Sequence, residues 1–215
     1  MEHSSTLSAL VRRVPFYGRR LHREYVVGRV RREMRAAREL NVVIGSGDKA
    51  FDNWFTTDVD ILDITRPADW SALFEPNSID RLLAEHVFEH LSEDECRAAF
   101  AECQRYLKPG GLLRIAVPDG YRRDPEYVAE VTPPKDGHKS LFTIDTLPAL
   151  LEGAGFRVEP LEYFDRDERF HARPWDEREG FITRSKPFDT QERFKRGELF
   201  YTSLIVDARK ESTEI

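Results

Sequence analysis

Apolar residues along this chain fall into short continuous runs and stripes at helical spacing, and the two patterns alternate. Residues 41–44, Asn-Val-Val-Ile, form a short apolar run ending at Gly45, as expected of a buried strand that runs into a glycine turn. Residues 54–64, WFTTDVDILDI, alternate and are rich in β-branched and aromatic types, which predicts a second strand. Residues 79–84 predict a third, preceded by the turn-prone Glu75, Pro76, Asn77 and Ser78. Ser92 and Glu95 make an S-x-x-E capping box, which starts a helix predicted over 93–107. Pro109, Gly110 and Gly111 are expected to stop it as a glycine-rich cap. Residues 112–117 read as a fully buried strand broken only by Arg114, 143–152 as a helix ended by Gly153 and Gly155, and 156–164 and 199–208 as two final strands.

Strand and helix in alternation predict an α/β fold, a doubly wound, mostly parallel, Rossmann-like sheet with right-handed crossovers. The last two strands have no helical pattern between them, so they are expected to pair antiparallel. Upstream, residues 18–40 carry a narrow apolar stripe, Leu21, Tyr25, Val26, Val30, Met34 and Ala37, among arginines, a one-sided helix that needs a cover. The division expected is a basic helical extension over 1–40 and an α/β domain over 41–215. Two stretches lack periodicity: 120–140, and 165–198 with its scattered Phe170, His171, Trp175, Phe181, Phe188 and Phe194. Such segments serve as lids or binding loops, or are surface insertions.

A chain of 215 residues with 40% apolar and 33% charged side chains suits one soluble α/β domain. No apolar run approaches the roughly 20 residues that span a bilayer, and residues 1–20 lack a signal-peptide pattern, so a cytoplasmic location is expected. Cys96 and Cys103 lie seven apart on one predicted helix, about 10 Å from each other and too far for a disulfide. The net charge of −6 hides an asymmetry: residues 1–40 hold ten arginines against four glutamates, a balance of +6. The simplest consequence is that this segment lies on the acidic body; a membrane surface or nucleic acid bound through basic residues 12–38 is the alternative.

Ligands of an open α/β sheet bind at the carboxyl ends of the strands. The residues to examine there are Gly45, Ser46 and Gly47, Asp58 to Asp63, Glu85 and His86, and the stretch after residue 117. The run from Gly45 to Ala50 fits G-x-G-x-x-A, but Asp48 would place a negative charge beside a pyrophosphate. Asp58 also comes only 11 residues after Gly47, where a dinucleotide site expects its acid about 20 on. A nicotinamide-dependent oxidoreductase is therefore a rival and not the first choice. His86 and His90 are four apart in E-H-x-x-E-H, which is not H-E-x-x-H; with no third ligand evident, no metal is predicted. His138, in the loop after the strand at 112–117, has the right chemistry to accept a proton. Asp119 and Tyr121 are the candidate acceptor contacts.

This order of parts resembles the class I S-adenosylmethionine (SAM)-dependent methyltransferases, in particular small predicted methyltransferases of uncharacterised acceptor. The likeness is carried by Gly45-Ser46-Gly47, by Trp54 to Asp58, by Glu85-His86-Val87-Phe88-Glu89-His90, and most specifically by Leu107-Lys108-Pro109-Gly110-Gly111 before a strand. The resemblance implies SAM as cofactor, with Gly45, Ser46 and Gly47 along its methionine and ribose, Asp58 on the ribose hydroxyls, Asp63 near the adenine, and Glu85 and His86 flanking it. It implies methyl transfer to an unidentified acceptor; the expectation set beside it is a small molecule with an oxygen nucleophile, with His138 and His86 as catalytic candidates from their position and chemistry. Only four residues separate Asp58 from Asp63, too few for two strands joined by a helix. A non-catalytic member of the fold that binds a nucleotide-like ligand or a partner is the alternative from another class.

Overall fold

The computed structural model describes residues 28, 31–32, 34, 38–47, 49, 51–188 and 202–212. Seven strands form one sheet in the order β2-β1-β3-β4-β7-β5-β6. They are β1 (Asn41–Ile44), β2 (Phe55–Thr56), β3 (Ile79–Glu85), β4 (Leu107–Val117), β5 (Phe156–Phe164), β6 (Phe170–Ala172) and β7 (Leu204–Lys210). The first four pair parallel, and β7 runs antiparallel between β4 and β5. The expected α/β architecture and the antiparallel final pair both stand. β6, a hairpin partner of β5, has no counterpart in the sequence reading. No helix among the described residues is long and apolar enough to cross a membrane.

One face of the sheet is covered by helices. Among the described residues these are α1 (Pro67–Leu73), α2 (Glu93–Tyr106) and α4 (Thr146–Gly153), with α3 (Pro125–Val131) beyond the end of β4. The capping box of α2 is formed: Glu95 N–H donates to Ser92 Oγ, and Ser92 N–H donates to the Glu95 carboxylate at 2.7 Å. This helix buries Cys96, Ala99, Phe100, Cys103 and Tyr106. They join Val42, Ile44, Leu82, Ala84, Leu113 and Ile115 in the main core. Both cysteines are free and buried, and burial pushes the Cys96 thiol up to about 12.

The other face is covered differently. Val43, Leu83, Ala116, Leu161 and Ile205 pack against Ile182, with Phe51, Trp54 and Trp175 at the margin. The cover here is the irregular stretch 173–188, which is why β1 and residues 112–117 of β4 read as apolar runs, buried on both sides. Arg114 fastens this cover. Its guanidinium is fully buried, donates to both carboxylate oxygens of Asp207 at 2.7 and 2.8 Å, and donates to the carbonyls of Asp176 and Gly180 at 2.7 and 2.8 Å. It also lies 4.9 Å from the Trp175 ring centroid, where cation and ring attract.

Three expectations need correction. The strand predicted over 54–64 is only two residues long. Asp58 accepts from Val59 N–H at 2.7 Å and Asp63 accepts from Thr65 N–H at 3.0 Å, so both acids bend the backbone on themselves instead of leaving it free for a ladder. Pro109 to Gly111 does not cap α2: the helix ends at Tyr106, Leu107 is already extended, and Gly110, at φ +79°, lies where the β3–β4 register shifts. Residues 120–140 hold α3 and a short 3₁₀ turn, and 143–152 begins its helix at Thr146.

Of the helix predicted over 18–40, Gly28, Arg31, Arg32 and Met34 are described as helical, while Leu21, Tyr25, Val26, Val30 and Ala37 lie outside the described residues. Met34 is buried in the main core, and Arg31 pairs with Glu75 at 3.0 Å. At these residues the basic segment does lie on the acidic body.

The Arg114–Asp207 pair sets a test. Arg114→Ala leaves a buried, uncompensated carboxylate, and denaturant unfolding should show a loss of about 3–5 kcal/mol. Arg114→Met with Asp207→Leu should recover part of that loss, because two buried charges then disappear together while the Asp176 and Gly180 carbonyls still lack their donor.

Candidate functional site

At the carboxyl end of β1 the chain turns through Gly45 at φ +64° and Gly47 at φ +58°. Side-chain-bearing residues rarely adopt that region, and glycine does so without steric cost. Gly45 is required on a second count, since a Cβ there would lie 2.6 Å from Val87 Cγ2. The turn hangs from the neighbouring strand: Ser46 N–H donates to the Thr57 carbonyl at 2.9 Å, and Thr57 N–H donates to the Val43 carbonyl at 2.8 Å. Asp48 lies outside the described residues.

At the end of β3, Glu85 is nearly buried and accepts from Arg184 N–H at 2.8 Å, with Lys49 Nζ at 3.4 Å. The next residue, His86, has φ +56°, a left-handed backbone that is uncommon for a residue with a Cβ and is found at functional sites. Its N–H still reaches the Ala116 carbonyl at 2.9 Å, while Nε2 lies 3.0 Å from Ser203 Oγ.

A cavity of about 660 Å³ opens between these groups, the size range of small-molecule sites. Gly45, Ser46, Gly47, Glu85 and His86 line one side, and Tyr127, Glu130 and His138 the other. Six of the predicted site residues therefore share one cavity. The other four do not reach its wall. Asp58 and Asp63 sit in the turns after β2, where Asp63 also accepts from Thr65 Oγ1. Asp119 is fully buried and accepts from Tyr121 N–H at 2.9 Å and Phe164 N–H at 2.7 Å, tying the ends of β4 and β5 together. Tyr121 O–H donates to Asp145.

His138 reaches the cavity because residues 139 and 140 are tied to the turn that carries Glu89. Lys139 N–H and Ser140 N–H both donate to the Glu89 carbonyl, at 2.7 and 3.1 Å, and Ser140 Oγ donates to the Leu91 carbonyl at 2.7 Å. His138 Nδ1 lies 2.9 Å from the Val131 carbonyl, which can only accept; in the neutral ring the proton is on Nδ1 and Nε2 carries the lone pair. Sequence reasoning missed Tyr127, Glu130, Arg184 and Ser203 as cavity residues, and it treated Glu89 only as part of the E-H-x-x-E-H run. Tyr127 and Glu130 lie three apart on α3, a spacing visible only once that short helix is seen. Arg184 and Ser203 come from the cover and the start of β7, with no local signal.

Residues 42–115 match the family described as a methyltransferase domain, a span from β1 into β4. No curated protein matches the sequence. The chain is similar to a solved SAM-dependent methyltransferase from Archaeoglobus fulgidus, with 15% identity, 90% of this chain and 98% of that chain covered, and a TM-score of 0.46. It is similar to a chain in the complex between the Haloferax volcanii Trm112 methyltransferase activator and the putative methyltransferase, with 14% identity, 98% and 100% covered and a TM-score of 0.49. A SAM-dependent methyltransferase from Thermotoga maritima, titled a possible histamine N-methyltransferase, shows 14% identity, 97% and 100% coverage and a TM-score of 0.44.

Two outcomes are expected from this geometry. Gly45→Ala forces a strained φ and a collision with Val87, so ligand affinity in the cavity should fall at least about tenfold by calorimetry, with the loss concentrated at the turn. Burial pushes the Asp119 carboxyl up to about 6 against the pull of its two N–H donors. The folded value lies above the unfolded one near 3.9, so the native state binds this proton more tightly. That contribution is complete below about pH 4 and is lost as pH rises through the folded value, at most about 3 kcal/mol. Urea midpoints of wild type and Asp119→Asn between pH 4 and 7.5 should isolate it as a slope that the variant lacks.

Proposed function

We propose that this class I methyltransferase domain takes SAM into the cavity beside Gly45–Gly47 and passes its methyl group to an oxygen of a small-molecule acceptor. The observation that carries the reading is the turn itself. Two positive-φ glycines, hung from Thr57, open onto a cavity whose far wall is built by a different part of the chain. One ligand on the glycine side and a second on the α3 side would meet in the middle.

The chemistry of the rim suits SAM. The glycine turn lets backbone approach the ligand, as a ribose or methionine moiety requires. Glu85 puts a carboxylate at the wall beside the glycine turn, which favours a sulfonium and an ammonium over a phosphate chain. Methyl transfer is an in-line displacement in which the acceptor oxygen forms a bond to the methyl carbon and the C–S bond breaks. Most of the acceleration comes from holding those three atoms in line. The acceptor also gives up a proton. His86, with Ser203 at its Nε2, and His138, with its Nε2 lone pair, are the candidates to guide or accept it, which their contacts support.

Titration calorimetry of the full chain with SAM, S-adenosylhomocysteine and NADH tests the reading. Binding of the first two with micromolar constants, and none of NADH, is the expected result. No heat from SAM at millimolar concentration would remove the proposal. Release of S-adenosylhomocysteine across a panel of hydroxyl-bearing compounds, against amines and thiols, then tests the oxygen acceptor.

A further inference from the structure

On the acceptor side of the cavity stands a side-chain group that methyl transfer alone leaves unexplained. Glu89 is 0% exposed, and neither of its carboxylate oxygens has a hydrogen-bond partner among the described residues. His86 Nδ1 comes within 3.1 Å of Glu89 Oε1 but not in hydrogen-bonding alignment. A buried carboxylate without a donor costs several kcal/mol unless a cation or a hydrogen bond satisfies it.

Two imidazoles complete a set around it. Ligand atoms of Glu89, His90 and His138 all lie within 4.8 Å of one another, and all three residues line the cavity. The His90 and His138 rings meet edge to face at 5.0 Å between centroids. Donors bound to one ion at about 2.1 Å stand some 3.0–3.5 Å apart, so the three need only close by side-chain rotation. The support behind them is already built. The Val131 carbonyl holds the proton of His138 on Nδ1 and leaves Nε2 as the donor, the arrangement that metal-binding histidines use. The two backbone bonds from 139 and 140 to the Glu89 carbonyl fix the distant partners against each other without any ion.

From this geometry we infer that Glu89, His90 and His138 bind a divalent first-row transition-metal ion at the acceptor end of the cavity, where it receives a hydroxyl oxygen of the acceptor. Two imidazoles with one carboxylate suit zinc, manganese, cobalt or iron(II) better than magnesium or calcium, which prefer all-oxygen shells. Three protein donors leave at least one position open, as sites that work on a substrate do and closed structural sites do not. An acceptor hydroxyl at that position gives up its proton to water more readily, and its oxygen is then free to attack the methyl carbon as the C–S bond breaks. His138 is in that case a ligand, not the proton acceptor. The acceptor role rests on the SAM reading, while the metal site itself does not.

The full chain, treated with chelator and dialysed, is titrated with Co²⁺ alone by calorimetry and followed by visible absorption. One equivalent is expected to bind and to develop d–d bands of a low-symmetry nitrogen and oxygen site. Glu89→Gln and His138→Gln should each weaken binding at least about thirtyfold, and His90→Gln at least about tenfold. His90 is exposed, so its variant removes a ligand without disturbing the core, and thermal melts check the folding of the other two. No stoichiometric binding, or binding that all three variants keep, overturns the proposal and leaves an adventitious ion only. SAM is titrated separately. Co²⁺ binding with no SAM binding would retain the metal site and remove the cofactor reading; the reverse would remove the site and retain the methyltransferase.

Discussion

The buried Arg114–Asp207 pair is the constraint on which this structure turns. A mostly parallel sheet must be covered on both faces, and here one cover, among the described residues, holds no more regular structure than two short 3₁₀ turns. Backbone carbonyls of such a segment need donors that helices would have supplied internally. Arg114 provides them, giving its N–H groups to Asp176 and Gly180 while Asp207 balances its charge. Two further buried carboxylates act from the sheet side: Glu85 accepts from Arg184 N–H, and Glu162 accepts from Lys186 N–H and Trp175 Nε1. An irregular loop is thereby given a fixed path by charges that stand on strands.

The cavity depends on that path. Once Arg184 is held to Glu85, its carbonyl accepts from Ser203 N–H at 3.0 Å, which sets the entry to β7. Ser203 Oγ then meets His86 Nε2. His86, the strained residue that follows β3, in turn stands beside Glu89. A hydrogen-bonded series therefore runs from the cover of the sheet to the histidine on the cavity wall, and each link is a polar group that burial obliges to find a partner. The strain at His86 persists because its neighbours on both sides are already fixed.

Residues with local signals were legible in the sequence. The capping box of α2, the continuous runs of β1 and β4 and the glycine turn each arise from interactions within a few positions, and all appear in the structure. The interruption of β4 at Arg114 was visible too, though not its meaning, because the partner Asp207 lies 93 residues away. The strand expected over 54–64 failed because Asp58 and Asp63 compete for the backbone N–H groups that a ladder needs. The pattern of apolar residues was right, since Ile61, Leu62 and Ile64 are all in the core; they reach it from turns. The third partner of Glu89 and His90 could not be read from spacing, as it comes from 48 residues beyond His90 and arrives through backbone hydrogen bonds.

The same division of signals runs through the residues that line the cavity. The span that matches the methyltransferase domain, residues 42–115, holds the glycine turn, Glu85, His86, Glu89 and His90. The remaining lining residues, among them Tyr127, Glu130, His138, Arg184 and Ser203, come from later in the chain. A cofactor presents the same atoms in every turnover and can be met by a short, locally encoded stretch of backbone. Under the proposed function, the acceptor would be met by segments far apart in sequence. Their positions are set relative to the matched span by the bonds at Glu85 and at the Glu89 carbonyl. Glu89 belongs to both halves, through its backbone to the loop that carries His138 and through its side chain to the pocket.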